Sequence, residues 1–325
     1  MRMETSRPNQ TPLVSIVIPA YNTAHLIADC LESAFSQTYQ DFEAVVVNDG
    51  SPDTPELERV LEPYLDRIVY LNQENKGAAG ARNTAIRKAR GEFLAFLDSD
   101  DTWLPEHLAS SMELFAEDPK LDLVYANGWV IAPDGQEPWE YMKQCPSHGE
   151  ATFEALVYER CQVSISTVVA RKGAIVRAGL FDEGLRRCDD YDMWLRTAFH
   201  GGKIGYTRRL QARFNIVRPG SLGASDLLMS QANRTILERL LRTLPLDQAT
   251  RDLVRQRWLW VNAMCLLREG RLQLSERQFD KAAKSLAEAN EQLRSPKIRV
   301  ALAGIRVAPN ATRKVASLWQ KLTER

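Results

Sequence analysis

The densest chemistry in the chain lies in Phe96-Leu97-Asp98-Ser99-Asp100-Asp101. Three carboxylates fall within four positions, directly after an apolar run containing Phe93, Leu94, Phe96 and Leu97. That pattern predicts a buried strand that surfaces and delivers acids at its carboxyl end. Carboxylates this close repel one another unless a positive charge sits among them. A hard divalent cation is the usual remedy, and Mg2+ or Mn2+ held by oxygens also carries substrate phosphates. On these six residues alone, an acidic, solvated helix N-terminus is an equal reading, because the helix dipole favours acids there. Pro105 is placed to open the following helix.

Two further stretches carry acids in turns. Asn48-Asp49-Gly50-Ser51-Pro52-Asp53 leaves an apolar strand over residues 42–47. Arg186-Arg187-Cys188-Asp189-Asp190-Tyr191-Asp192 precedes Met193, Trp194 and Leu195, so Asp189 and Asp190 fall in the first turn of a helix. Asp192 and Arg196 stand at i,i+4 and read as a structural pair. Lys76-Gly77-Ala78-Ala79-Gly80-Ala81-Arg82-Asn83 reads as a small-residue loop entering a helix over 81–89. It lacks the Gly-Lys-Ser/Thr of a phosphate-binding P-loop.

The elements that must position these groups alternate. Strands are predicted over 13–18, 42–47, 68–71 and 92–97, with helices from about 24, over 56–65 and over 81–89, and Thr23 or Asn22 as cap of the first helix. Strand and helix in turn imply a parallel sheet covered on both faces. Ligands of such sheets bind beyond the carboxyl ends of the strands, which is where Asp49 and Asp98 to Asp101 fall. A helix over 105–116, strands over 121–131, 164–170, 203–206 and 210–217, and a short helix over 172–178 follow. Residues 132–149 read as a loop over one side of the site. From about residue 222 glycine becomes rare and helical periodicity takes over, with helices near 224–243, 247–268, 275–293 and 310–322. Phe279, Ala282, Ala283, Leu286 and Ala289 resemble one helix of a tetratricopeptide-like hairpin.

Composition sets limits on function. Lys plus Arg equals Asp plus Glu, at 42 each, which argues against a general nucleic-acid binder. Residues 294–325 are basic, however, with eight Lys or Arg against one Glu. The five cysteines show no paired spacing and read as reduced thiols of a cytoplasmic protein. No run of about 18 apolar residues is present, and the first residues lack an apolar signal core.

Taken together, the chain resembles family 2 glycosyltransferases of the GT-A fold over residues 12–222. VSIVIPAYN (14–22), VVVNDGSPD (45–53), KGAAGARN (76–83), FLDSDD (96–101) and CDDYDMWLR (188–196) carry the resemblance, each weak alone but agreeing in order and spacing. It implies an α/β, Rossmann-like, mostly parallel sheet flanked by helices, with an all-helical region over 223–325 and a flexible start over 1–11. It also implies an inverting, hexosyltransferase-type enzyme of bacterial polysaccharide and cell-envelope biosynthesis, with a nucleoside-diphosphate sugar as donor, most commonly a UDP-sugar. The acceptor would be a glycan or lipid-linked hydroxyl and the cofactor Mn2+ or Mg2+.

Carried over residue by residue, Asp49 matches the acid that accepts from the donor's base. Pro19 and Tyr21 border the nucleotide, and Arg82 approaches base and pyrophosphate. Asp98-Ser99-Asp100 matches the metal element, with Asp100 as metal ligand, Asp98 toward ribose or a metal-bound water, and Asp101 orienting them or capping the helix. Asp189-Asp190 stands where the family has Glu-Asp, which makes Asp190 the catalytic base. Trp194 reads as core or acceptor-site wall. Arg218 and Ser221 lie where related enzymes place a basic residue and a serine near the phosphates, although the usual His is Arg here.

The alternatives are a catalytically inactive sugar-nucleotide-binding scaffold, a nucleotidyltransferase and a processive synthase. The complete acid set opposes the first. The missing basic glycine-rich signature opposes the second. The third carries membrane helices and Gln-x-x-Arg-Trp, of which Arg255-Gln256-Arg257-Trp258 is a near miss. The basic C-terminal stretch, with Val300, Leu302, Ile305, Val307, Val315, Leu318, Trp319 and Leu322, suits a solvated face, peripheral contact with the anionic inner face of the plasma membrane, or a homo-oligomer.

Overall fold

The computed structural model of the chain describes residues 11–131, 137–215 and 226–311. The chain divides into two compact units, Met1–Ala224 and Ser225–Arg325.

The first unit is built on a nine-stranded sheet. Strands β1 (Val14–Ala20), β2 (Phe42–Asp49), β3 (Ile68–Gln73) and β4 (Phe93–Phe96) alternate with helices α1 (Ile27–Phe35), α2 (Thr54–Leu61) and α3 (Gly77–Lys88). The apolar runs of β1, β2 and β4 are buried because helices cover both faces. Ile16, Ile18 and Val46 share a core cluster with Ile27 and Leu31 of α1 and Leu57 and Leu61 of α2. On the other side α3 crosses β1 and β2, and its buried Ala79, Gly80, Ala81 and Ala85 let the backbone approach closely.

The later elements are β5 (Thr102–Trp103), α4 (His107–Glu117), β6 (Leu121–Val130), β7 (Trp139–Glu140), α5 (Tyr141–Gln144), α6 (Phe153–Val157), β8 (Val169–Arg171), α7 (Lys172–Arg177), α8 (Asp189–Phe199) and β9 (Lys203–Phe214). The strand order is β3-β2-β1-β4-β8-β6-β9-β5, with β7 on β6. The half β3-β2-β1-β4 is parallel, as alternation predicts. The other half is mixed, because β8 runs antiparallel between β4 and β6. The chain leaves β1 toward β2 and β3, and α3 returns it to β4 on the other side. The order therefore reverses between β1 and β4, which opens a crevice at their carboxyl ends.

Several local expectations change. The glycine-rich stretch is not a loop but the first turns of α3, entered through Gly77 at φ 78°. The strand expected over 164–170 is a 3-10 turn, Ile165–Thr167, followed by β8. The strands expected over 203–206 and 210–217 form one strand, β9. A register shift against Ala126 and Asn127 of β6 takes up Arg208 and Arg209 between them. No side chain caps α1: its first helical residue is Ile27, and the Thr23 hydroxyl turns instead to Ser99. Inside the expected loop over 132–149, the described part contains β7 and α5.

The second unit consists, among the described residues, of α9 (Asp226–Thr243), α10 (Gln248–Ser275), α11 (Phe279–Leu293) and α12 (Pro296–Val307). Asp247 caps α10 by accepting from the Thr250 N–H at 2.8 Å. Gly270 lets α10 meet α11, since a Cβ there would stand 2.8 Å from Leu286 Cγ. Helix α12 was not expected; Pro296 starts it, and the helix predicted near 310–322 lies almost wholly outside the described residues. Ile298 and Ile305 join the core of this unit and Leu302 packs on it, whereas Val300 and Val307 are 68% and 86% exposed. Among the described residues no helix is long and apolar enough to cross a membrane.

Candidate active site

The crevice between β1 and β4 is a cleft of about 890 Å³. Pro19, Tyr21, Asp49 and Arg82 line it, as do Asp98, Asp100, Asp101 and Asp190. Residues from five segments thus converge at one sheet edge.

The turns that carry them are tied together by side chains. After β1 the chain turns at Asn22, a non-glycine residue at φ 54°, and its N–H donates to Ser51 Oγ at 2.6 Å. The Ala24 N–H donates to Asp53 Oδ2 at 2.9 Å. Gly50, at φ 61°, must be glycine, because a Cβ would stand 2.7 Å from the Asn75 nitrogen. This close approach seats Asp49, whose Oδ1 accepts from Gln73 Nε2 at 2.7 Å and from the Lys76 N–H at 2.9 Å.

At the end of β4, one oxygen each of Asp98, Asp100 and Asp101 can gather within 4.8 Å. Asp101 has both oxygens engaged: Ser166 Oγ donates to Oδ2 at 2.6 Å and the Asn215 N–H to Oδ1 at 2.9 Å. It does not cap α4, which begins at His107. Burial, then Asp100 and Asp98, push the Asp101 carboxyl well above the usual range, and the bonds from Ser166 and Asn215 oppose that rise. This is the environment in which a divalent cation, as a counter-charge, is most favourable. Ser166 is a strut, for its carbonyl also accepts from Trp103 Nε1 at 2.6 Å.

Arg82 joins the acids of β4 to those of α8. Its Nη2 lies 2.7 Å from Asp98 Oδ1 and its Nη1 lies 2.6 Å from Asp189 Oδ2, with the residue only 5% exposed. Burial alone would lower its pKa, and Asp98 and Asp189 more than restore it. Asp189 is thereby paired, while Asp190 faces the cleft. Helix α8 begins after Cys188, another left-handed residue at φ 56°, which turns the chain to aim these two acids apart. Burial first, and Asp189 second, push the Asp190 carboxyl up to about 7, although Arg82 and the Tyr191 N–H pull it down. A carboxylate poised there suits general-base work near neutral pH.

Asp192 pairs with Arg196 at 2.6 Å, as its spacing predicts. Trp194 is buried between Phe96 and Phe181, with ring centroids 6.0 and 6.1 Å away, and packs beneath the site as core. Arg218 and Ser221 lie outside the described residues. Sequence reasoning missed Tyr141, Ser166, Arg186, Arg187 and Asn215, all of which line the cleft. Only Arg186 and Arg187 carried a signal, since they directly precede Asp189 and Asp190. Tyr141 arrives on α5 and packs edge-on to Phe214 at 5.4 Å. Burial, then Cys145 and Asp190, push its hydroxyl well above the usual range.

A helix-flanked mixed sheet with carboxylates at its reversal point defines a nucleotide-sugar transferase fold of the GT-A type. Residues 15–180, about half of the chain, match the family model for glycosyl transferase family 2, and the chain belongs to that family. It is 32% identical over 227 residues to the Escherichia coli UDP-Glc:alpha-D-GlcNAc-diphosphoundecaprenol beta-1,3-glucosyltransferase WfaP, covering 68% of this chain and 84% of that one. The match spans only 58% of the length of the uncharacterized Rickettsia typhi and Rickettsia prowazekii glycosyltransferases it resembles. Among solved structures, S. aureus TarS 1-349 in complex with UDP-GlcNAc superposes with a TM-score of 0.62 at 18% identity, covering 95% of this chain and 91% of that one. Mannosyltransferase PcManGT from Pyrobaculum calidifontis, in complex with GDP-Man and Mn2+, gives 0.60 at 21% identity, covering 97% and 89%.

Proposed function

We propose that this enzyme moves a sugar, with inversion and with a divalent cation, from a UDP-sugar to a hydroxyl of a glycan or lipid-linked acceptor. The observation that carries the reading is the convergence of Asp190, Arg82 and the Asp98–Asp101 carboxylates on one cleft. The donor's base lies between Pro19, Tyr21 and Asp49. Both hydrogen bonds onto Asp49 fall on Oδ1, so Oδ2 is the oxygen that accepts a base N–H. Asp98, held by Arg82, turns toward the ribose. The clustered acids fit a hard cation, with Asp100 as its ligand. A Mn2+ or Mg2+ bound there supplies positive charge against the leaving nucleoside diphosphate. Asp190 takes the proton from the acceptor hydroxyl as its oxygen attacks the anomeric carbon. Displacement by that single nucleophile inverts the centre.

Two features of similar proteins support the donor class. TarS 1-349 is solved with UDP-GlcNAc and PcManGT with GDP-Man and Mn2+. WfaP, by its name, uses UDP-Glc and a diphosphoundecaprenol-linked acceptor. Arg218 and Ser221 are assigned to the phosphates, and residues 223–325 to a separate helical region. The test is calorimetric titration of UDP, GDP, dTDP and CDP, each with Mn2+ and with chelator, on the wild-type protein and Asp100→Ala. Metal-dependent binding of UDP, lost in the variant, is the expected result. Binding of none of the four would overturn the reading.

A further inference from the structure

The cleft is lined by five carboxylates, those of Asp49, Asp98, Asp100, Asp101 and Asp190, and by three arginines, Arg82, Arg186 and Arg187. Arg82 is committed to the protein itself, forked between Asp98 and Asp189. Arg187 is different. It lines the cleft and enters no ion pair among the described residues. A guanidinium on the wall of a ligand cleft with no carboxylate of its own is one whose counter-charge can arrive with the ligand. Arg186 stands beside it, exposed.

We propose that Arg187, flanked by Arg186, is an anion-binding position of this cleft that takes the oxygens of a phosphoryl group. The inference rests on the nucleotide-sugar reading and deepens it. A diphosphate cannot lie over this acidic floor without positive charge on more than one side. A cation among Asp98, Asp100 and Asp101 answers the acids on the β4 side. The turn before α8, which also lines the cleft, offers Arg186 and Arg187. A planar guanidinium presents paired N–H groups at its tip, a geometry that matches two phosphate oxygens at once. Lysine in the same place would supply charge without that fork.

The phosphoryl group comes from one of two sources: the diphosphate of the donor, or a phosphate carried by the acceptor. Calorimetry distinguishes them. Wild type, Arg187→Lys and Arg187→Ala are titrated with the nucleoside diphosphate that wild type binds best and with its nucleoside, both with Mn2+. Inorganic phosphate is then titrated, to millimolar concentrations, into each protein already saturated with that nucleotide. If the donor supplies the group, Arg187→Ala weakens the diphosphate by about tenfold or more, leaves the nucleoside within about twofold, and Arg187→Lys recovers only part of the loss. If the acceptor supplies it, nucleotide binding is unchanged, and phosphate binds saturated wild type but not saturated Arg187→Ala. A merely structural arginine would weaken nucleotide and nucleoside together. That outcome, or identical binding of all three probes by variant and wild type, overturns the proposal. Should Arg187→Ala fail to fold, Arg187→Gln, which keeps most of the stem, carries the same comparison. Wild-type protein that binds none of the nucleotides would instead refute the nucleotide-sugar reading itself.

Discussion

Replacing Asp190 with Asn should abolish transfer and make the protein more stable, but only in one range of pH. Asp190 is raised from an aspartate's ordinary 3.8 to about 7, by burial first and by Asp189 second. A group whose folded pKa exceeds its unfolded one keeps its full contribution to stability below the unfolded value and loses it as pH rises through the folded value. The wild-type protein therefore gives up stability between about pH 4 and pH 7, because ionising Asp190 costs more in the fold than in water. At roughly 1.4 kcal/mol per pH unit the ceiling is about 4 kcal/mol. Asp190 is partly open to the cleft, where solvent screens it, so the expected share is about 1–2 kcal/mol. Asparagine has nearly the same shape and does not titrate. The variant should match wild type near pH 4 and exceed it at pH 8 by about 3–6 °C in Tm. Thermal melts of both proteins from pH 4 to 8, without nucleotide or metal, read this directly. Initial rates should fall by at least about 10²-fold in the variant. In the wild type they should climb with pH to a plateau above about pH 7, as the base loses its proton. A stability difference that is constant from pH 4 to 8, or a variant less stable at pH 8, would refute the account of the Asp190 environment. Transfer at the wild-type rate would refute its role as base.

Other outcomes follow from the same geometry. Arg82→Met leaves Asp98 and Asp189 without their shared cation and should cost about 3–5 kcal/mol in denaturant unfolding at pH 7. Gly50→Ala should destabilise by about 1–3 kcal/mol and weaken nucleotide binding, since its Cβ meets the Asn75 backbone and its φ of 61° disfavours a side chain. Unaltered Tm in that variant would show that the β2 and β3 turns can part without cost. If the basic C-terminal stretch reaches an anionic membrane, exchanging Lys297, Arg299, Arg306, Arg313 and Lys314 for Gln should release the protein from anionic liposomes in flotation; unchanged flotation removes the idea. That surface is narrower than the apolar pattern suggested, because Ile298 and Ile305 are spent on the core of their own unit.

The sequence by itself determined the parallel half of the sheet and the positions of the acids. Apolar runs ending in Asp49 and Asp98 are local patterns, and a strand buried on both faces has no other way to appear in a single chain. It also determined the Asp192–Arg196 pair, whose partners are one helical turn apart. Tertiary structure decided what these groups do to one another. Arg82 and Asp189 are 107 positions apart, and only the return of α3 beside β4 and the packing of α8 bring them together. That contact pairs one acid of the Asp189–Asp190 couple and leaves the other to face the cleft with a raised pKa. Ser166 was hidden in an apolar stretch that reads as strand, and it enters the site because a 3-10 turn interrupts that stretch. The antiparallel β8 and the joined β9 were also illegible, since register and pairing depend on which distant strand offers its edge. Side-chain type and local period are written in the chain, whereas ionisation and hydrogen-bond partners depend on burial and on neighbours brought in from far along it.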